Sequence, residues 1–285
     1  MGAEAAAISV GALRAPIVIR PSRGWASLRL ADVWTYRELL AFLVWRDLKV
    51  RYKQTVLGVA WAVLQPVLTM LLFSVVFGRL AKMPSNGLPY PVFAFCALLP
   101  WQFFANALTA SANSLVTNQQ LITKVYFPRL VIPLSALGAG LVDLAIAFVV
   151  LLGVMGWYGF VPSVRALALP LFLLLTMVTV AGVGLWLSAL NVKYRDIRYA
   201  LPLLTQLWLF ATPIAYPTSL VPEHWRALFG LNPMAAAVEG FRWCLLGRAD
   251  GLERLIVPAG VVALVLLASG LYYFRATERQ FADIV

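Results

Sequence analysis

The chain is 285 residues long, 62% hydrophobic and only 12% charged, with a formal net charge of +11. A soluble globular domain carries about 25% charged residues, whereas several charge-free stretches here reach the ~20 residues that cross a bilayer's hydrocarbon as a helix. These figures exclude a soluble fold and predict an all-α integral membrane protein. The positive balance then reads as cytoplasmic loops rich in Lys and Arg, not as a nucleic-acid surface.

Residues 1–31 hold small residues, prolines and scattered arginines, and are expected to form a flexible cytoplasmic arm. No cleavable signal pattern is evident, because the first apolar run, around 5–13, precedes the basic residues instead of following them. The stretch "DVWTYRELLAFLVWRDLKVRYK", 32–53, predicts an amphipathic helix capped by Asp32, with Tyr36, Leu39, Leu40, Leu43 and Val50 on one face. Such a helix lies in the membrane interface, not across it. Its basic residues Arg46, Lys49, Arg51 and Lys53 sit against the start of the first span and anchor it beside anionic headgroups.

Six spans are expected: about 56–78, 91–110, 130–157, 166–190, 199–216 and 255–274. The fifth is interrupted by Pro202 and Pro213. Residues 218–250 are apolar but broken by Pro222, Pro233 and the charges Glu223, Arg226, Glu239 and Arg242. They read as a re-entrant outer hairpin, whose irregular backbone is buried in protein or faces water. With both termini on one side, 16 of the 23 Lys/Arg fall on that side, which makes it the cytoplasm.

The cytoplasmic piece "TNQQLITKVYFPRLVIP", 117–133, mixes Asn118, Gln119, Gln120 and Lys124 with Val125, Tyr126 and Phe127. A plain hairpin linker is shorter and more polar, so this stretch reads as a docking element for a soluble partner, with a tight loop as the alternative. Asp143, halfway along the third span, costs ~2.5–3.5 kcal/mol to insert. It therefore has a partner, for which Asn106, Asn113 and Arg242 are candidates, or a role in gating or substrate contact. Among the aromatics, Phe73, Phe77, Trp208 and Phe210 are the best candidates to line a pathway, against the alternative of lipid contact. The loop "NVKYRDIRY", 191–199, with Lys193, Arg195, Asp196 and Arg198, anchors the spans, or else contacts a soluble partner or a pyrophosphate headgroup, whose oxygens Arg forks grip well. Gly182 and Gly184 permit close helix packing.

The chain has no G-x-x-x-x-G-K-[ST] loop and no catalytic constellation, so it is not an enzyme and any nucleotide is bound elsewhere. Two cysteines, Cys96 and Cys244, and the single His224 offer neither a disulfide framework nor a metal centre.

Four segments carry a resemblance: "LKVRYKQTVLGVAWAVLQPVLTMLLFSVVFG", "NQQLITKVYFPRLVIPL", "NVKYRDIRYALPLLTQLWLFATPIAYP" and "LNPMAAAVEGFR". In order and spacing, over residues 30–285, the chain resembles the permease subunits of type-2 ABC exporters. The likeness is greatest to the Wzm-like and teichoic-acid-type permeases of polysaccharide export. The resemblance implies a homodimer of permeases with two separate subunits that bind ATP and Mg. It implies a gate helix at 32–53, a coupling helix at 117–128 with Asn118, Gln119, Lys124, Tyr126 and Phe127 at the ATPase, and re-entrant outer helices at 218–242. Aromatic rings would encircle a channel at the dimer interface. The substrate implied is a lipid-linked O-antigen-type polysaccharide, with teichoic acid, capsular or other glycans as the alternative. A channel or carrier that needs no ATP is the reading from another class.

Overall fold

The structure, a computed structural model, describes residues 30–53, 60–248, 251–278 and Phe281. The arm expected at 1–31 falls almost wholly outside them. Every regular element among the described residues is helical. The first are α1 (Leu30–Thr35), α2 (Arg37–Lys53) and α3 (Ala60–Phe73), the last continuing as a π-helix over Ser74–Leu80. Next come α4 (Tyr90–Thr117), α5 (Gln119–Lys124), α6 (Val131–Trp157) and α7 (Leu169–Lys193). Last are α8 (Ile197–Phe210), α9 (Glu223–Phe229), α10 (Pro233–Leu246) and α11 (Leu252–Thr277). Pro91, Pro170 and Pro233 stand in the first turns of α4, α7 and α10, where a missing N–H breaks no bond.

Among the described residues, five helical stretches are long and apolar enough to span a membrane: Ala60–Leu80, Tyr90–Thr117, Val131–Trp157, Val164–Lys193 and Leu252–Thr277. The fifth expected span differs. Its helix, α8, stops at Phe210 after 14 residues, about 21 Å. Pro213 follows; lacking an N–H and clashing with the carbonyl four residues back, it prevents continuation.

Helix α4 is the axis of the bundle, and α6 and α7 pack on it. Side-chain pairs give the helix directions. Leu175 lies with Leu255 and Ala259, Gly182 against Leu266, and Trp186 stacks on Tyr273 at 4.2 Å. Partner numbers rise together, so α7 and α11 run parallel. The chain between them must therefore travel from one end of the bundle to the other. Two contacts mark that passage. The Asn191 side chain donates to the Ala112 carbonyl at 2.9 Å near the C-terminal end of α4, and the Tyr90 hydroxyl donates to the Ala215 carbonyl at 2.7 Å at its N-terminal end.

The N-terminal helix departs from expectation in two ways. It begins at Leu30, so Asp32 is inside α1 and is not a cap, and a turn at Tyr36 separates α1 from α2. Leu43 is buried, and Tyr36, Leu39 and Leu40 pack beside it, but Val50 is exposed along with Phe42 and Trp45. The outward side is thus mixed aromatic and basic. Lys49 lies over the Trp45 ring at 4.4 Å and Arg37 over Trp34 at 5.7 Å. Apart from Leu43, α2 lies on the surface of the bundle. It leans along α6, with Val44 against Gly138 and Arg51 at Asp143.

Candidate functional site

Asp143 explains the lean of α2. Its carboxylate accepts hydrogen bonds from the Arg51 guanidinium and from the Tyr52 hydroxyl. Asn106, Asn113 and Arg242, the expected partners, do not bond it; the pairing comes from the last turn of α2. Asp143 is about 18 Å along α6 from Val131, and Arg51, whose side chain is 41% exposed, reaches it from α2 and neutralises it. Burial, and then the hydrogen bond to Asp143, push the Tyr52 hydroxyl up to about 12, so it remains a proton donor. The other basic residues of α2 do different work: Arg46 pairs with its neighbour Asp47 at 2.8 Å, and Lys49 and Lys53 are exposed.

Beside this pair, α4 presents a face that residue-by-residue reading overlooked. Gln102, Asn106, Thr109, Asn113 and Thr117 are spaced by four, three, four and four residues, which places them on one stripe of the helix. All five are exposed or half-buried, although most of α4 is enclosed. Thr109 and Thr117 donate back to the carbonyls of Ala105 and Asn113 at 2.8 and 3.0 Å, and Asn113 accepts from Asn191 at 3.1 Å. The stripe is uncharged and runs for about 22 Å. It ends where Leu99 and Phe95, the next residues on that face, are buried.

Helices α3 and α8 flank the stripe, both packing on α4 and both exposing most of their surface. Trp61, Leu64, Leu68 and Leu72 are exposed on α3; Tyr199, Leu203, Leu207 and Phe210 are exposed on α8. A cavity of about 400 Å³ widens the stripe on the α3 side, lined by Trp61, Gln65, Gln102, Asn106, Arg51 and Asp143 among others.

The aromatic candidates separate into two groups. Phe73 is buried with its ring 5.2 Å from that of Phe77, at the junction with the π-helix, and Trp208 meets Phe104 of α4 edge-on at 4.8 Å. Both contacts belong to the main core. Phe210 points outward with the apolar face of α8. Trp208 also donates to the Asn232 side chain at 2.9 Å. Asn232 caps α10 by accepting from the Met234 amide at 3.1 Å, and it donates to the Ala211 carbonyl and the Thr212 hydroxyl. Its bonding capacity is filled, which ties the end of α8 to the start of α10.

A second polar hub holds the end of the bundle where α4 begins. Arg242 and Glu239, both on α10 with side chains only 3% exposed, pair at 3.0 Å. The guanidinium also donates to the Pro213 and Ile214 carbonyls at 2.7 and 2.8 Å and stacks over Phe93 at 3.7 Å, while Thr218 donates to Glu239 at 2.7 Å. The irregular backbone after α8 is thereby satisfied, as non-helical backbone at membrane depth requires.

At the opposite end, α5 and the residues after it form a small knob. Ile122 and Phe127 are buried against Leu43, Leu130 and Phe274, so Phe127 faces the core, not the surface. Tyr126 is 79% exposed, and Lys124 and Val125 stand out beside it. Asn118, half-buried, donates to the Ser114 carbonyl at 2.9 Å and ends α4; Gln119 is half-buried next to it.

Membrane-length helices packed on an axial helix that carries a polar stripe define a polytopic helical membrane protein. Residues 38–246 match the family model of the ABC-2 type transporter, and the chain belongs to that family. It is 32% identical over 257 residues to the O-antigen export system permease protein RfbA of Myxococcus xanthus, covering 89% of this chain and 98% of that one. It is 30% identical over 249 residues to the protein of the same name from Klebsiella pneumoniae, covering 87% and 95%. The polysialic acid transport protein KpsM of Escherichia coli is more distant, at 24% over 234 residues, covering 82% and 91%. The chain is accordingly a transmembrane permease subunit, not an enzyme.

Proposed function

We propose that this permease moves a lipid-linked, O-antigen-type polysaccharide out of the cytoplasm across the bacterial inner membrane, driven by ATP hydrolysed on a separate subunit. The α4 stripe carries the reading. Amide and hydroxyl groups facing lipid would be costly, whereas facing a hydrated glycan they replace water without the tight grip of fixed charges. Two copies meet through the exposed faces of α3 and α8 and enclose the stripe between them. Phe73, buried, and Phe77 and Trp208, partly buried, flank its outer half, where their rings narrow it at rest. The relatives named for O-antigen export, more similar than the capsule protein, favour this class of polymer.

On this reading α8 and the segment to Tyr216 form a sixth crossing, α9 and α10 re-enter from outside, and both termini are cytoplasmic. The end of the bundle that carries Lys124, Arg129, Lys193, Arg195 and Arg198 is then the cytoplasmic one. The knob led by Tyr126 docks on the ATP-binding subunit, which holds ATP and Mg. Deleting the gene should remove long-chain surface polysaccharide, and the intact gene should restore it. Tyr126→Ala should weaken assembly with the ATPase by about 2 kcal/mol, as loss of an exposed aromatic anchor does. Copurification at unchanged permease level is the measurement. Surface polysaccharide that persists in the deletion strain would sink the substrate assignment, and undiminished copurification would sink the docking role.

A further inference from the structure

We infer that the cavity between α2, α3, α4 and α6 is a binding site for a neutral, hydroxyl-rich sugar unit of the transported glycan, resting on the export reading above. Three observations converge on it. First, its amides are idle. The side chains of Gln65, Gln102 and Asn106 make no hydrogen bond to any described residue, yet all three line one cavity. Gln65 and Asn106 are exposed and Gln102 is half-buried, so all three amides are open to a ligand. An amide offers one acceptor and two donors, which complements a hydroxyl in either sense.

Second, the site has no net charge to offer. Arg51 is already neutralised by Asp143, and Tyr52 gives its proton to the same carboxylate. A phosphate would find no unpaired cation among the lining residues, and a metal ion no open carboxylate pair. A neutral polyol meets the set as it stands. Third, the exposed indole of Trp61 at the rim supplies a flat apolar face for the C–H side of a pyranose. At about 400 Å³ the cavity lies in the usual range for small-ligand sites, about 300–1,000 Å³.

Gln102 and Asn106 belong both to the cavity and to the α4 stripe, and Arg51 is the last-turn residue that holds α2 in place. A sugar seated here is at the deep end of the stripe, past Thr117, Asn113 and Thr109, and against α2.

The test uses the full-length permease in lipid nanodiscs and ligand-observed NMR. The probes are a neutral glucan hexasaccharide, a sialic acid oligomer and inorganic pyrophosphate, each alone and in competition. The hexasaccharide is expected to bind saturably. Gln102→Leu with Asn106→Leu, which keeps size and removes the amides, should weaken it by about tenfold or more. Thermal unfolding checks that the variant folds. Should it fail, Gln65→Leu on the exposed side of α3 carries the same expectation. Equal binding by a folded variant overturns the site. Displacement of the hexasaccharide by pyrophosphate or by the sialic acid oligomer overturns the neutral-ligand assignment. Absence of binding by the unaltered permease overturns both. The export reading fails separately, in the deletion strain, and a folded permease that binds sugar in a strain with undiminished surface polysaccharide separates the two.

Discussion

Arg242→Ala is expected to cost about 3–5 kcal/mol, the toll of breaking a buried ion pair from one side. The guanidinium is held by Glu239 and by two carbonyls of the Pro213–Ile214 segment, and it lies on the Phe93 ring. Its removal strands the Glu239 carboxylate with Thr218 alone and orphans both carbonyls. The damage should concentrate in the segment from Ala211 to α10, since α10 packs there on α4, α7 and α11. Arg242→Lys should rescue little, because an ammonium is a point charge and cannot fork to three oxygens. Thermal unfolding in detergent and protease cleavage within 211–222 are the measurements. An unchanged midpoint with an intact segment would show that the pair does not hold it.

Placing a side chain at the crossing of α7 and α11 should be nearly as damaging. A Cβ on Gly270 would stand 2.3 Å from the Gly182 carbonyl oxygen, and one on Gly182 would stand 2.6 Å from the Leu266 carbonyl carbon. Both obstacles are backbone, which cannot swing aside, so the helices must separate. Each Gly→Ala change is expected to cost about 1–3 kcal/mol, and Gly270→Val more. Gly153 and Gly156 on α6 provide the control, since an added Cβ meets nothing within 4 Å there. Alanine at those positions should be neutral or mildly stabilising, by about 0.5–1 kcal/mol. Similar losses at all four positions would mean that backbone flexibility, not contact, is being measured.

Much of this architecture was legible in the sequence, and particular residues show where legibility stopped. Long apolar runs with at most one charge located all five long helices, because the cost of charge in hydrocarbon acts along the whole of a span. The same criterion carried the fifth expected span past Phe210 although Pro213 was noted as interrupting it, since the run stays apolar beyond the end of the helix. Asp143 was recognised as needing a partner, but which one depends on how α2 leans, a tertiary fact. Arg51 had been read with its basic neighbours as a headgroup anchor. The α4 stripe was readable in principle: Gln102, Asn106, Thr109, Asn113 and Thr117 keep helical spacing. Attention to aromatics and charges passed over it. Phe127 illustrates the converse, an apolar residue in an expected docking loop that turns inward to join Ile122 and Leu130. The burial of Glu239 and Arg242 also escaped, although their spacing of three on a helix is the signal that pairs them.

The parallel seam between α7 and α11 has a consequence for how the protein is made. Helix α7 leaves the ribosome first, and α11 follows only after α8, α9 and α10. At about 5–20 residues per second, the interval is on the order of 3–12 seconds. Throughout it the small-residue groove at Gly182 faces acyl chains, and the Trp186 indole has neither Ser269 nor Tyr273 to meet. Insertion of the late helix must therefore expel lipid from a seam that is already threaded in the bilayer. Membrane quality control would see a half-assembled bundle during that window. Variants that slow the arrival of α11 should be degraded from the membrane even when their finished fold is sound.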